Sequence, residues 1–324
     1  MFLFNEVYKE TIWGGDRIAS LKGSSPTLHR IGESWELSGI PGHETLVSKG
    51  PDKGKSVSEL AAEYGASLLG RHVYDQYGTD FPLLVKFIDA HAGLSIQVHP
   101  DDLHAQSRHG SNGKTEMWYV VDSSADGRLL VGFDHAMSAE EYDESVAHGD
   151  IANKVRSHNV KSGDVFFLPP GRIHAACAGV LLAEIQQSSD ITYRIYDYGR
   201  KDQNGNPREL HHKEAREVLD FTSLSDYRTH YTTQANKPSR LAACQYFSTE
   251  ILDLSQTTEL DVTPLDSFCI LICVDGEAEV DQRDGLQPQT ARLKKGHTLL
   301  LPANATTVVL TPLSSSKLLQ VWVP

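Results

Sequence analysis

Two short runs place metal-ligating and charged side chains at strand spacing. In Leu94-Ser-Ile-Gln97-Val-His99-Pro100, Gln97 and His99 are two apart, so on a strand they share a face, and Pro100 then ends regular pairing. An amide beside an imidazole can ligate a cation. The same pair can equally line the wet face of an amphipathic strand, and this run alone leaves both readings open. In Gly113-Lys114-Thr115-Glu116-Met117-Trp118-Tyr119 the period of two sets Lys114 beside Glu116. At a surface that is an ordinary ion pair. Glu116, however, opens an apolar strand, where an unpaired carboxylate costs on the order of several kcal/mol; a cation would satisfy it. Arg194, in Thr192-Tyr-Arg194-Ile-Tyr196, shares a face with Thr192 and Tyr196. Its planar fork suits an oxyanion if buried and does nothing specific if solvated.

The elements that must hold these residues are mostly strands. Short apolar runs punctuated by Gly, Pro and Asp predict strands over 83–88, 116–121, 129–133, 165–168 and 180–185. Ser56 with Glu59 and Ser138 with Glu141 have capping-box spacing and predict helices, the second ending near His148. A third helix is expected over 211–219. The expected architecture is mostly β with a few inserted helices.

Composition narrows the function. With 43 acidic against 30 basic residues the net charge is −13, which repels nucleic acid and anionic membranes and leaves a small molecule as the expected partner. No apolar run reaches the roughly 18 residues of a membrane span, and the start, Met1 to Glu6, turns acidic too early for a signal peptide. A cytoplasmic enzyme is expected. Cys177, Cys244, Cys269 and Cys273 match no zinc spacing and read as structural, Cys269 and Cys273 within an apolar run.

An internal echo bears on domain organisation. Lys161-Ser-Gly163-Asp-Val-Phe-Phe-Leu168-Pro169 returns as Lys294-Lys-Gly296-His-Thr-Leu-Leu-Leu301-Pro302. With the polar stretch 231–240 as linker, this predicts a duplicated β-barrel, one copy over 1–236 and one over 237–324, and the motif that follows implies two cupin (jelly-roll) β-barrels, the first a metal-binding catalytic domain. Gly163, Pro169, Gly171 and His174 fall at the spacing of the second signature motif of the cupin superfamily, in which the histidine faces the barrel interior as a ligand. Ala178 stands where that motif carries Asn. Thr307 occupies the place of His174 in the second copy, so that barrel is expected to lack the metal ligands. A set of two His, one Glu and one Gln suits zinc with an open position and also admits iron, manganese, cobalt or nickel.

Together these pieces resemble the type I phosphomannose isomerases in their short bacterial form. The matching runs are Thr11-Ile-Trp13-Gly-Gly15, Gly32-Glu33-Ser-Trp35-Glu36, Pro82-Leu-Leu-Val-Lys86-Phe-Ile, Ser95 to Pro100, Gly113 to Tyr119, Pro170-Gly171-Arg-Ile-His174-Ala and Asp190-Ile-Thr-Tyr193-Arg194-Ile-Tyr196-Asp197. They lie within 11–197, and the remainder agrees more loosely as a second cupin. The Gln-x-His run departs from the His-x-His of most cupins, as does the distance from His99 to Glu116, and both departures are the isomerase pattern.

The resemblance implies Gln97, His99, Glu116 and His174 as ligands of one zinc ion. It further implies interconversion of mannose 6-phosphate and fructose 6-phosphate through a cis-enediolate. Arg194 and Lys114 would stabilise charge, Lys86, Ser95, Trp13 and Glu33 would line the sugar-phosphate pocket, and the proton carrier stays open between Glu184, Asp190, His99 and Lys114. The rival readings are another metal-dependent cupin enzyme and a non-catalytic sugar-phosphate sensor. A sensor commonly lacks a ligand or the catalytic cation, and here all are present.

Overall fold

The computed structural model describes residues 1–23, 29–201 and 205–324. Two antiparallel sheets face each other in the first half. One runs in the order Val165–Leu168, Glu116–Ser123, Val180–Gln187, Leu83–Ala90, Ile31–Ser38, Val7–Gly15; the other runs Tyr193–Tyr196, Ile96–Val98, His174–Ala176, Arg128–Phe133, Val155–Asn159. The second half repeats the plan. Its larger sheet runs Ser239–Ala243, Ser248–Leu254, Ser316–Trp322, Cys269–Asp275, Thr298–Leu301, facing a sheet of Thr258–Asp261, Thr307–Pro312, Glu277–Gln282 and Gln289–Lys294. Each half is a jelly roll.

The sequence echo corresponds to equivalent strands. Val165–Leu168 and Thr298–Leu301 each end a large sheet, and each follows a turn glycine with left-handed φ, +92° at Gly163 and +81° at Gly296, a conformation cheap only for glycine. His174 and Thr307 each open a strand of the smaller sheet.

Strand alternation divides the large sheet of the first half into two chemistries. Val85, Phe87, Met117, Tyr119, Ala183 and Ile185 point outward and pack against Ile251, Phe268, Ile270 and Leu319 of the second half in one apolar cluster. The intervening residues Lys86, Ile88, Glu116, Trp118, Leu182 and Glu184 point into the barrel. Its interior is filled toward one end by Trp118, Val120, Leu182, Leu129 and Val131. On the outer face of the smaller sheet Tyr142 and Ala215 pack from helices Ala139–His148 and His212–Val218 onto Val98, Phe133 and Ile195.

Both capping boxes form, at the starts of Val57–Tyr64 and Ala139–His148. The third expected helix spans His212–Val218, and the expected strands occur, three of them extended, to Ala90, Ser123 and Gln187, and one beginning a residue earlier, at Arg128. Further short helices, including Arg17–Lys22, Arg71–Tyr77 and Asp102–His109, lie where none was expected from sequence. Cys269 and Cys273 are buried without a disulfide, and burial pushes both thiols up to about 12, as inert core groups require. No helix among the described residues is long and apolar enough to cross a membrane.

Phe87 is fully buried in the seam between the halves. Phe87→Ala is expected to cost about 3–5 kcal/mol in urea unfolding, with the charged interior intact. A loss below about 1 kcal/mol would show that the seam carries little of the stability.

Candidate active site

The barrel interior sets charged side chains side by side across neighbouring strands. Glu184 is paired in register with Lys86 on one side and Trp118 on the other, and Gln186 with Glu116. In the facing sheet Gln97 is paired with both His174 and Arg194. Two periodicities that look unremarkable in sequence thus put His99, Glu116 and His174 within reach of one point.

One candidate ligand atom from each of His99, Glu116 and His174 lies within 4.8 Å of the others, and all three residues are buried. Glu116 Oε1 is 3.1 Å from His174 Nε2, and Glu116 Oε2 is 3.6 Å from His99 Nε2. His99 Nδ1 is 2.8 Å from the Ile191 carbonyl and His174 Nδ1 2.8 Å from the Arg172 carbonyl. A proton on each Nδ1 makes those hydrogen bonds and leaves each Nε2 a bare lone pair, the arrangement that orients metal-bound imidazoles. Burial, with Lys114 adding to it, holds the His99 imidazole well below its ordinary pKa and therefore neutral. His99 Nε2 and both Glu116 oxygens are buried without a hydrogen-bond partner. Orphaned acceptors this deep call for a cation, and the donor set fits one. Gln97 could supply a fourth ligand atom: its amide Nε2 is 3.4 Å from His174 Nε2, and a half-turn of the amide would put its oxygen there instead.

A ring of charge lies beside this group. Lys114 Nζ is 3.0 Å from Glu116 and 3.5 Å from Glu184; Lys86 Nζ is 3.3 Å from Glu184 and 3.5 Å from Glu33. Lys86 and Lys114 are each only 5% exposed. Burial alone would lower Lys86, but Glu184 and Glu33 more than offset it and hold the ammonium charged. Burial would likewise raise Glu116, yet the Lys114 ammonium beside it brings it well below the carboxylate range. Glu184 goes the other way, raised by burial and then by Glu116. The Trp118 indole N–H donates to Glu184 Oε2 at 2.8 Å, leaving Oε1 without a hydrogen bond. The Trp35 indole N–H holds Glu33 in the same way at 2.7 Å.

These groups open into a cavity of about 600 Å³, the size of a small-molecule site. Of the residues singled out in sequence, Trp13, Glu33, Lys86, Ser95, Gln97, Lys114, Glu184, Asp190 and Arg194 line it, while His99, Glu116 and His174 lie buried at its floor beside Gln97 and Lys114. Trp13 also belongs to the apolar cluster inside the barrel. Asp190 is exposed at the rim. Thr192 lines the cavity with Arg194, but Tyr196 does not: the pairing shifts register between Arg194 and Tyr196, and Tyr196 packs against Tyr198 instead. Arg194 Nε is buried without a partner, while Nη1 donates to the Glu209 carbonyl at 3.0 Å.

Arg208 and Glu10 also line the cavity and were not singled out from sequence. Arg208 lies past the last family-like run and is fixed by Asp197, whose Oδ2 accepts from its Nε at 2.7 Å. Asp197 closes that last run and was the one available pointer to it.

Comparison with known proteins bears on fold and family. Residues 1–124 match the family model for the phosphomannose isomerase type I catalytic domain, and 238–312 match that for the mannose-6-phosphate isomerase cupin domain. The crystal structure of the mannose 6-phosphate isomerase from Bacillus subtilis superposes with a TM-score of 0.88 at 33% identity, covering 99% of this chain and 98% of that one. The mannose-6-phosphate isomerase of Streptococcus mutans is 33% identical over 93% of this chain and 92% of its own. Mannose-6-phosphate isomerase ManA of Bacillus subtilis is 36% identical over 92% of both chains, and the chain therefore belongs to the type I phosphomannose isomerase family.

Proposed function

We propose that this protein is a zinc-dependent mannose-6-phosphate isomerase, interconverting mannose 6-phosphate and fructose 6-phosphate, with catalysis in a unit over 1–236 and a second barrel over 237–324 that lacks metal ligands. The observation that carries the reading is the convergence of His99, Glu116 and His174 beneath a cavity that also gathers Lys86, Lys114, Glu184 and Arg194. His99, Glu116, His174 and Gln97 would hold the ion. The chemistry zinc supplies in such a set is Lewis acidity toward substrate oxygens that gain charge, without redox change.

Within the ring, the carboxylates of Glu33, Glu116 and Glu184 outnumber the ammonium groups of Lys86 and Lys114. A bound dication reverses that balance, which favours an anionic substrate in a chain of net charge −13. Moving a proton between C1 and C2 requires a base at the carbon and cations at the two oxygens. Glu184 Oε1, free of hydrogen bonds and facing the cavity, is the proposed carrier: it takes the proton from one carbon and returns it to the other. The raised pKa of Glu184 makes it a better base than an ordinary carboxylate. Asp190, exposed at the rim, is less suited to that transfer. Lys114 Nζ, held between Glu116 and Glu184, donates to the enediolate oxygens. Arg194, with its unpartnered Nε, binds the enediolate or, with Arg208, the phosphate. Trp13, Ser95 and Glu33 shape the sugar pocket.

The reading is tested by following mannose 6-phosphate by NMR in D2O with purified protein. Conversion to fructose 6-phosphate with deuterium entering at carbon is expected; no conversion by metal-loaded protein would overturn it. His174→Ala should release the metal and abolish turnover, and full metal content with full activity would remove His174 from the ligand set. Arg194→Ala should retain the metal and lower kcat about 100-fold or more; an unchanged rate would return Arg194 to a packing role.

A further inference from the structure

Beside the apolar seam, a hydrogen bond joins the second barrel to the segment that carries Lys114. Tyr246 lies in the turn between Ser239–Ala243 and Ser248–Leu254 and packs against the apolar seam. Its hydroxyl donates to Asp102 Oδ2 at 2.5 Å. Asp102 opens the helix Asp102–His109 of the first half. Its other oxygen, Oδ1, accepts from the Gly113 N–H at 2.8 Å and from Gln187 Nε2 at 3.0 Å. The Oε1 of Gln187 accepts in turn from the Thr115 N–H at 2.8 Å. Between them, the Lys114 N–H donates to the Pro100 carbonyl at 3.0 Å.

Three successive backbone N–H groups centred on Lys114 are therefore fixed by Asp102, by the side chain Asp102 holds, and by the residue two before it. The fit is close: a Cβ on Gly113 would lie 2.5 Å from the Asp101 carbonyl carbon and 2.6 Å from the Asp102 nitrogen. Hydrogen-bond networks with every member satisfied rigidify what they hold, and a cation that must meet charge in a transition state depends on such placement.

We propose that Tyr246 and Asp102 are positioning residues for Lys114, so that the second barrel, though without metal ligands of its own, sets the geometry of the site in the first. The inference rests on the reading of Lys114 as a charge-stabilising group. Burial, reinforced by Asp102, raises the Tyr246 hydroxyl pKa and keeps it a donor across the working pH range. Tyr231 is the natural control. It too lies at the seam, and its hydroxyl donates to the Gly163 carbonyl at 2.6 Å, with no bond to this network.

The test is kinetic, on the metal-loaded full chain. Tyr246→Phe should lower kcat about tenfold, leave KM within about twofold, and leave metal content unchanged; Tyr231→Phe should leave kcat unchanged. Added to Lys114→Met, Tyr246→Phe should produce no further loss, since a residue acting through Lys114 has nothing left to position. Amide exchange across 113–115 should quicken in Tyr246→Phe and not in Tyr231→Phe. Equal losses from Tyr246→Phe in both backgrounds, an unchanged kcat, or unaltered exchange would overturn the inference. A wild type without isomerase activity, or a fully active Lys114→Met, would instead remove the reading of Lys114, and the inference would fall with it.

Discussion

The constraint on which the rest of the structure depends is the burial of Glu116. A carboxylate with 0% exposure and no hydrogen bond to either oxygen is tolerated only where positive charge is supplied. Lys114 supplies part of it at 3.0 Å, and the two imidazoles turn lone pairs, not protons, toward the same point. Everything close by follows from that demand. Carbonyls of Ile191 and Arg172 orient the imidazoles, the Trp118 indole holds Glu184, and Lys86 holds Glu33 below the usual carboxylate range against its burial.

The jelly roll is suited to this because alternation on a strand separates two jobs without separating the residues. Met117, Tyr119, Ala183 and Ile185 pack against the second barrel, while Glu116, Trp118 and Glu184, their immediate chain neighbours, face inward. The apolar seam makes the large sheet rigid from behind, and the charged face inherits that rigidity. The second barrel retains the first one's strand order with Thr307 in place of His174, so what is conserved within the chain is the packing plan and what differs is the chemistry.

Much of this was legible in the sequence because it is local. Period-two spacing identified the Lys114 and Glu116 pair, the apolar strand beneath Glu116 argued for its burial, and both capping boxes marked real helix starts. The repeated Gly-to-Leu-Pro run marked equivalent strands. What escaped depends on contacts between distant segments. Arg208 enters the cavity only because Asp197 clamps it. Tyr196 leaves the Arg194 face because a register shift intervenes, which no spacing rule anticipates. Helix Asp102–His109 has an Asp cap but a polar, uneven face, and its role emerges only where Asp102 meets Gly113, Gln187 and Tyr246. The His99 tautomer likewise depends on the Ile191 carbonyl, which sequence does not bring near.

The central claim is that His99, Glu116 and His174 hold a divalent ion on which turnover depends. The most direct measurement is metal content and mannose 6-phosphate turnover of the purified protein, followed together through chelation and zinc add-back. The account predicts one zinc per chain, loss of turnover as the ion is withdrawn, and recovery in proportion to its return. Full turnover by a protein shown to be free of metal would contradict it.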